Sequence, residues 1–472
     1  MPIKDILLIN TNVARPPVSP VGLEYVGEAL VEAGVATRVL DLSFENDWTA
    51  ALRKEFKNEE PLAVGLSVRN TDDCSSASKR SFLPWICDVV NEIRKLTSAY
   101  IMLGGVGFSV MPEMILKMTR ADFGIAGDGE NAILALVRCL AKKEDVSCVP
   151  NLVYWHGGSP TCNARANVDL SVLPLPRRWL FDNKRYEELG AMVGIETKRG
   201  CSQGCIFCAD PVAKGSVERL RPPHMVVQEL QNLLAYGVSW FHLCDSEFNL
   251  PLGHAKEICR SIIEANLGDK IRWYTYCCPI PFDPELANLM KRAGCYGVNF
   301  GVDSLCDEQL LRLGRSHSKA DVERLVQILQ EQGLNYMFDL LAGGPGETEA
   351  TIAMTIDGIK ELSVPLAGIA AGVKIYPGTP ISDAVIGGDK RGLYPRDGNA
   401  PYDPIFYLSP YLGDDVSGLI SKLTAGDSRF LFLASPAEQG SYNYADAEAL
   451  CQMIKEGARG AYWDIISRRI RK

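Results

Sequence analysis

Three cysteines, Cys201, Cys205 and Cys208, stand close together in the segment KRGCSQGCIFCADP. The chain has 15 cysteines, an odd number, and their uneven spacing does not suggest a disulfide framework. A structural zinc site needs a fourth Cys or His nearby, and the nearest histidine, His224, lies well downstream. The spacing therefore favours metal binding by these three thiolates over a zinc knuckle or a chance arrangement.

The cysteine segment resembles the Cys-x3-Cys-x-aromatic-Cys motif of the radical SAM superfamily, with Phe207 in the aromatic position. The resemblance implies a [4Fe–4S] cluster whose fourth iron binds the amino and carboxylate groups of S-adenosylmethionine (SAM). In the family, one electron from the cluster cleaves SAM to a 5′-deoxyadenosyl radical. The cofactors perform this chemistry, and the protein positions them.

Other segments resemble the SAM-binding parts of the same superfamily. CDSEFN is similar to the segment that receives the SAM amino group, and FGVDSL to a ribose-contacting segment, although an Asp replaces its usual Glu. The resemblance implies these SAM-binding residues: Phe207, Asp245, Ser246, Glu247, Asp303, Ser304, Gly343 and Gly344. Candidates for the substrate pocket are Cys244, Cys277 and Tyr376.

The surrounding elements predict a partial barrel. Strand-like runs alternate with helical stretches, which indicates an open, TIM-like (β/α)6 barrel. The runs cover residues 192–198, 240–244, 272–277, 297–302, 336–341 and 368–376. Reactive groups of such barrels gather at the carboxyl ends of the strands, and the cysteine motif directly follows the first run. We expect the less regular final segment to cap the barrel mouth.

The N-terminal part predicts a Rossmann-like, doubly wound parallel sheet, because strand-like runs alternate with amphipathic helices. The runs cover residues 5–10, 36–42, 62–68, 100–104 and 122–126. This part resembles the cobalamin-binding half of the B12-dependent radical SAM branch. The cobalamin-binding residues that the resemblance implies lie at carboxyl ends of strands: Ser67, Arg69, Asn70, Gly104, Gly105, Gly107, Gly127, Gly129 and Glu130.

All five histidines lie outside this part of the chain. Cobalamin would therefore have no histidine lower ligand from its own domain, which is usual in this branch. The alternative is a domain that only supports the barrel.

We expect four regions along the chain. They are a Rossmann-like cobalamin-binding domain at 1–149, a linker with a hairpin at 150–186, a radical SAM partial barrel at 187–385 and a mostly helical C-terminal cap at 386–472.

Two such cofactors imply methylation of an unactivated carbon, in which one SAM supplies the methyl group through cobalamin and a second yields the radical. A cobalamin-associated radical cyclisation or rearrangement is the first alternative. A methylthiotransferase is the second, and it is disfavoured because Cys74, Cys87 and Cys139 are too widely spaced for a second cluster. A non-catalytic cobalamin or iron–sulfur carrier would leave the SAM-binding features unexplained.

The composition of the chain limits the kinds of molecule that it is expected to bind. A net charge of −9 argues against nucleic-acid binding, which needs a basic surface. No apolar run approaches the length of a membrane span, and no signal-peptide pattern is present. We expect a cytoplasmic enzyme with a small-molecule, lipid or peptide substrate and an electron donor such as flavodoxin or ferredoxin.

Overall fold

The structure is a computed structural model, and it describes residues 5–57, 59–386, 390–394, 403–413, 415–432 and 448–470. Two α/β units follow one another along the chain. Within the described residues, no helix is both long and apolar enough to cross a membrane.

The N-terminal unit contains seven strands and six helices. The strands are β1 (Ile6–Asn10), β2 (Thr37–Asp41), β3 (Ala63–Ser67), β4 (Tyr100–Gly104), β5 (Phe123–Ile125), β6 (Leu152–His156) and β7 (Ser159–Cys162). The helices are α1 (Val21–Glu32), α2 (Trp48–Glu55), α3 (Leu83–Leu96), α4 (Val106–Val110), α5 (Pro112–Thr119) and α6 (Glu130–Lys142).

These strands form one sheet in the order β2-β1-β3-β4-β5-β6-β7. The first five are parallel, as predicted. Strand β1 is buried along its whole length, because helices cover both faces of the sheet and favour an uninterrupted apolar run. The β6–β7 hairpin, which the sequence placed in a linker, extends this sheet by antiparallel pairing.

The second unit contains the remaining elements. Its strands are β8 (Val193–Ile195), β9 (Lys198–Arg199), β10 (Arg219–Leu220), β11 (Trp240–Leu243), β12 (Arg272–Cys277), β13 (Cys295–Asp303), β14 (Tyr336–Ala342), β15 (Ala367–Ala371), β16 (Val373–Lys374), β17 (Leu393–Tyr394), β18 (Phe406–Tyr407) and β19 (Phe430–Phe432). Its helices are α7 (Asn183–Glu188), α8 (Asp210–Lys214), α9 (Pro223–Ala235), α10 (Leu252–Glu264), α11 (Pro284–Arg292), α12 (Asp307–Arg312), α13 (Lys319–Gln332), α14 (Glu349–Glu361), α15 (Pro380–Ile386), α16 (Val416–Thr424), α17 (Glu448–Lys455) and α18 (Tyr462–Ile470).

Seven parallel strands form the barrel sheet, in the order β19-β15-β14-β13-β12-β11-β8. The α/β fold class is confirmed, with a Rossmann-like sheet followed by a partial barrel. The seventh strand, β19, was not predicted, since three residues in an irregular region carry little periodic signal. The run predicted at 192–198 is interrupted, because Lys198 and Arg199 pair antiparallel with β10 instead.

The final segment lies at both ends of the barrel. At the mouth, the Ser409 amide donates to the Gly343 carbonyl at 2.8 Å. At the opposite end, the Trp463 ring of α18 packs edge-on against Tyr274, with centroids 5.8 Å apart. Tyr274 is near the amino end of β12, so α18 closes the bottom of the barrel. The stretch around Ser409 therefore lies at the mouth and α18 at the opposite end, and the C-terminal cap at 386–472 stays a prediction.

A buried cluster of charges joins the two units. The guanidinium of Arg178 donates to Glu24 of α1 and to Glu229 of α9, at 2.6 Å in each case. Arg221 also donates to Glu229, at 2.7 Å, and the Tyr25 hydroxyl does so at 3.0 Å. Arg178 and Glu229 are 0% exposed, so each charge depends on its partners rather than on water.

We expect Arg178→Met to lower the free energy of unfolding by about 3–5 kcal/mol, because it leaves two buried carboxylates without their shared cation. Urea unfolding would measure the change. The matched control is Arg260→Met, since the Arg260–Glu285 pair is about half exposed on both sides and should contribute less than about 1 kcal/mol. Equal effects of the two substitutions would contradict the stabilising role of the buried cluster.

Candidate cofactor and active site

The cysteine loop is held closed at its base by β9 and β10, in which Arg219 lies opposite Arg199. Gly200 follows β9 with a φ of +92°, and a Cβ there would lie 2.1 Å from the Val217 carbonyl oxygen. Only glycine fits such a position. The Cys201 amide donates to the Gly215 carbonyl at 3.1 Å. The two ends of the loop are thus fixed, and the three cysteines lie at the barrel mouth.

The donor set of the loop fits an iron–sulfur cluster. All three cysteines are unpaired, and Cys201 and Cys205 are buried. Burial raises the pKa of Cys201 to about 11 and raises the pKa of Cys208 further, with the charge of Cys205 contributing to both. In the described part of the chain, no three His, Cys, Asp or Glu side chains surround a single ion. The chemistry of three thiolates suits an iron–sulfur cube, in which each thiolate binds a different iron.

Arg315 connects the cysteine loop to the end of β13. Its Nη1 lies 2.9 Å from Cys205 Sγ, its Nε lies 2.6 Å from Asp303 Oδ2, and its Nη2 donates to the Gly301 carbonyl. Asp303 has a φ of +60°, an uncommon conformation for a residue with a side chain. Asp303, predicted to contact SAM, is therefore engaged by Arg315. Sequence patterns did not point to Arg315.

The three polar residues after β11 differ in their contacts. Asp245 accepts hydrogen bonds from the amides of Thr197 and Lys198, at 2.8 and 3.2 Å, and so supports the turn before the cysteine loop. The Ser246 hydroxyl donates to Asp210. Glu247 differs, because its buried Oε2 has no hydrogen-bond partner in the structure. Burial raises the pKa of Glu247 to about 7, against the opposing charge of Arg315.

Most of the remaining predicted SAM-binding residues contact other residues of the protein. The Ser304 hydroxyl lies 2.9 Å from the hydroxyl of Thr355 in α14. The Gly343 and Gly344 amides both donate to the carboxylate of Glu347, a residue that the sequence analysis missed. Phe207 packs with the apolar residues near β16. Because their polar groups already have partners, these residues mainly fix the backbone at the mouth of the barrel.

A cavity of about 150 Å³ lies between the two units. Six of the nine predicted cobalamin-binding residues line it: Ser67, Gly104, Gly105, Gly127, Gly129 and Glu130. Arg69, Asn70 and Gly107 are not in the lining, and Gly107 packs against the β3–α3 connection, because a Cβ there would lie 3.0 Å from Val68 O. The barrel contributes four lining residues that sequence analysis missed: Glu196, Arg199, Ala213 and Lys214.

The glycines of this cavity leave room for a ligand. A Cβ on Gly104 or Gly127 would have no protein atom closer than 3.9 Å, so both positions open into unfilled space. Backbone without side chains allows a large flat ligand to approach closely. The glycine-rich lining thus suits close contact between the backbone and part of a bound cobalamin. Lys214, at the end of α8, lies six residues after Cys208 and brings the cysteine loop to the same cavity.

The barrel lumen contains aromatic and polar side chains. His242 and Tyr276 pack with ring centroids 5.2 Å apart. Tyr276 is paired in register with Asn299, whose buried amide nitrogen and oxygen have no hydrogen-bond partner in the structure. Val298 and Phe300 face the outer core, so Asn299 points into the lumen. Burial and the charges of Arg69 and Lys214 lower the pKa of His242 to about 4, which keeps its ring neutral.

The three predicted substrate-pocket residues are not all in the lumen. Cys244, on the inner face after β11, is partly buried with a pKa raised to about 12 by burial. Cys277 is 0% exposed and belongs to the core between strands and helices, so its side chain points away from the lumen. The Tyr376 hydroxyl lies 3.3 Å from the sulfur of Cys74, a residue of the N-terminal unit.

Both units match known protein families. Residues 195–359 match the radical SAM superfamily, and residues 7–137 match the B12-binding domain. The first range contains the cysteine loop and β11–β14. The second contains all nine residues predicted to bind cobalamin. The division of the fold into two cofactor-binding units therefore agrees with the division between the two families.

Relatives cover the chain as a whole. Tryptophan 2-C-methyltransferase from Streptomyces laurentii is 34% identical over 79% of this chain and 73% of its own length. The structure of TsrM from Kitasatospora setae, a radical SAM methyltransferase with cobalamin and a [4Fe–4S] cluster bound, is 27% identical and superposes with a TM-score of 0.88 over 100% of this chain and 99% of that one. TsrM with tryptophan and a SAM analogue bound gives the same TM-score at 29% identity, with 99% of both chains covered. The chain therefore belongs to the radical SAM superfamily, in the cobalamin-binding methyltransferase branch that uses a [4Fe–4S] cluster, SAM and cobalamin.

Proposed function

We propose that this enzyme transfers a methyl group from SAM to carbon C2 of tryptophan. The relative from Streptomyces laurentii is a tryptophan 2-C-methyltransferase, and the TsrM structure from Kitasatospora setae holds tryptophan. These similarities extend over both units of the chain. They favour methyl transfer over the cyclisation, methylthiolation and carrier functions.

One observation carries the proposal. The cavity at the carboxyl edge of the N-terminal sheet is also lined by Ala213 and Lys214, in the helix that directly follows the cysteine loop. A corrin in this cavity and SAM at the cluster would therefore be neighbours. Methyl transfer requires such proximity, since effective catalysis depends on holding reactants within contact distance.

When bound, cobalamin carries the methyl group between SAM and the substrate carbon, and the cluster binds SAM. We propose that Cys201, Cys205 and Cys208 bind the cluster and that Gly104 and Gly127 hold the corrin edge. Of the predicted SAM-binding residues, Glu247 has an unpartnered carboxylate oxygen, which suits contact with the SAM amino group. Asp245, Asp303 and Gly343 act as positioning residues, because their polar groups already bind other parts of the protein.

The lumen suits a neutral aromatic substrate. Tyr276 and His242 provide ring faces and edges, which pack well against an indole. The amide of Asn299 provides both a donor and an acceptor within reach of the same space. The neutral His242 ring avoids placing a full charge against the substrate ring. We therefore propose that the substrate lies between these side chains and the cofactors.

A ferredoxin or flavodoxin that supplies electrons and a cytoplasmic location stay predictions of the sequence. Both follow from cluster chemistry in a reducing compartment. Reduction by each purified donor protein in place of a chemical reductant would test the first of them.

The test of the proposed function uses anaerobically reconstituted enzyme with cobalamin, SAM labelled in its methyl group, and L-tryptophan deuterated at C2. We expect labelled methyltryptophan that has lost the deuterium, together with S-adenosylhomocysteine, because the new C–C bond replaces the C2–H bond. Tryptophan that keeps its deuterium and gains no label, in enzyme with full iron and cobalamin content, would falsify the proposal.

We expect Gly104→Leu to lower the affinity for cobalamin by at least about tenfold, a loss of about 1.4 kcal/mol. The Cβ of the new side chain would have no protein atom closer than 3.9 Å, so folding and iron content should be unchanged. Cobalamin bound after gel filtration is the measurement. Gly253→Leu is the matched control, because a Cβ at Gly253 also has open space around it but the residue does not line the cavity. Equal cobalamin content in the two variants would contradict the assignment.

We expect Cys208→Ala to prevent assembly of an intact cluster, because two remaining thiolates do not hold the cube in place. Iron content and visible absorbance should fall strongly, and product formation should stop. The control is Cys148→Ala, since Cys148 is exposed and far from the loop in sequence. A Cys208→Ala protein with the iron content of the unsubstituted enzyme would show that Cys208 is not a ligand.

A further inference from the structure

We infer that Arg315 is a positioning residue of the cluster, which raises the potential at which the cluster accepts an electron. The inference concerns the cluster alone and is independent of the substrate. It starts from a contact that sequence motifs do not indicate, in which Arg315 Nη1 lies 2.9 Å from the sulfur of Cys205. The two residues are separated by 110 positions in the chain.

The guanidinium of Arg315 is fixed on three sides. Nε pairs with Asp303 Oδ2 at 2.6 Å, Nη2 donates to the Gly301 carbonyl, and Nη1 faces Cys205 Sγ. A planar guanidinium can make these contacts at once, whereas the single ammonium of a lysine cannot reach all three. A Cβ on Gly301 would lie 2.6 Å from Arg315 Nη2. The absence of a side chain at Gly301 therefore leaves the space that the guanidinium occupies.

The backbone next to Arg315 packs directly on the cysteine loop. The Ile206 amide donates to the Leu313 carbonyl at 3.1 Å. Gly314 has a φ of +73°, and a Cβ there would lie 2.3 Å from the Gly204 carbonyl oxygen. The loop and the segment that contains Arg315 thus form one packed unit. This packing holds the guanidinium against the sulfur of Cys205.

Electrostatics give the direction of the effect. The Arg315 side chain is 6% exposed and that of Asp303 is 9% exposed, so water screens the charges weakly. On reduction, one electron enters the cluster, and no bond breaks. The added negative charge is stabilised by an adjacent cation and by an N–H group directed at a ligand sulfur, two factors that set cluster potentials. Arg315 therefore makes reduction easier, and Asp303 holds it in position while partly offsetting its charge.

The test measures the midpoint potential of the reconstituted cluster by titration followed with electron paramagnetic resonance, without SAM or substrate. We expect Arg315→Gln to shift the potential to more negative values. Arg315→Lys should fall between that variant and the unsubstituted enzyme, because it keeps the charge and loses the contact with sulfur. Arg312→Gln is the matched control, since Arg312 is exposed and pairs with Glu308, and its potential should equal that of the unsubstituted enzyme.

Iron content identifies the variants that hold a full cluster. An unchanged or more positive potential in fully loaded Arg315→Gln would overturn the inference, as would an equal shift in Arg312→Gln. If Arg315→Gln assembles no cluster, Arg315→Lys decides, and a potential equal to that of the unsubstituted enzyme would overturn the inference. Because no methyl transfer is measured, failure of the proposed function on tryptophan would leave this result unaffected.

Discussion

Arg178 lies between the carboxylates of Glu24 and Glu229, where water solvates none of the three charges. Glu24 belongs to the N-terminal unit and Glu229 to the barrel, so separating the units would leave unpaired charges at a large energetic cost. This constraint holds the carboxyl edge of the N-terminal sheet against the mouth of the barrel. The cavity exists only because both units supply its walls, and every cofactor contact proposed above depends on that arrangement.

Around the mouth of the barrel, many polar side chains form hydrogen bonds with the protein itself and are not free to bind a ligand. The Asp245 carboxylate supports the turn before the cysteine loop, and Glu347 binds the amides of the glycine-rich turn. Such contacts fix backbone positions before any cofactor binds, which is the preorganisation that catalysis needs. Glu247 Oε2 and the amide of Asn299 are among the buried polar groups of the described residues that have no hydrogen-bond partner. In the proposed function, these groups would contact SAM and the substrate.

The sequence predicted eleven of the parallel strands correctly, because buried strands between helices leave long apolar runs. It missed β19, which is short, and it did not anticipate the break between β8 and β9, since the antiparallel partner of β9 lies beyond the cysteine loop. Cys277 was misjudged as facing the pocket. Cysteine is often buried whichever face of a strand it occupies, so the residue type gave no signal of the direction of its side chain.

By itself, the sequence indicated the cofactor chemistry, because the three cysteines predicted to bind the cluster lie within eight residues of one loop and a local spacing is visible without a fold. It also determined the two α/β units, whose periodicity is equally local. The tertiary structure alone decided which polar groups are free to bind a ligand and which are already engaged. Arg315 and Cys205, or Arg178 and Glu24, meet only after the chain folds, since hydrogen-bond partners 110 and 154 residues apart leave no mark on sequence spacing.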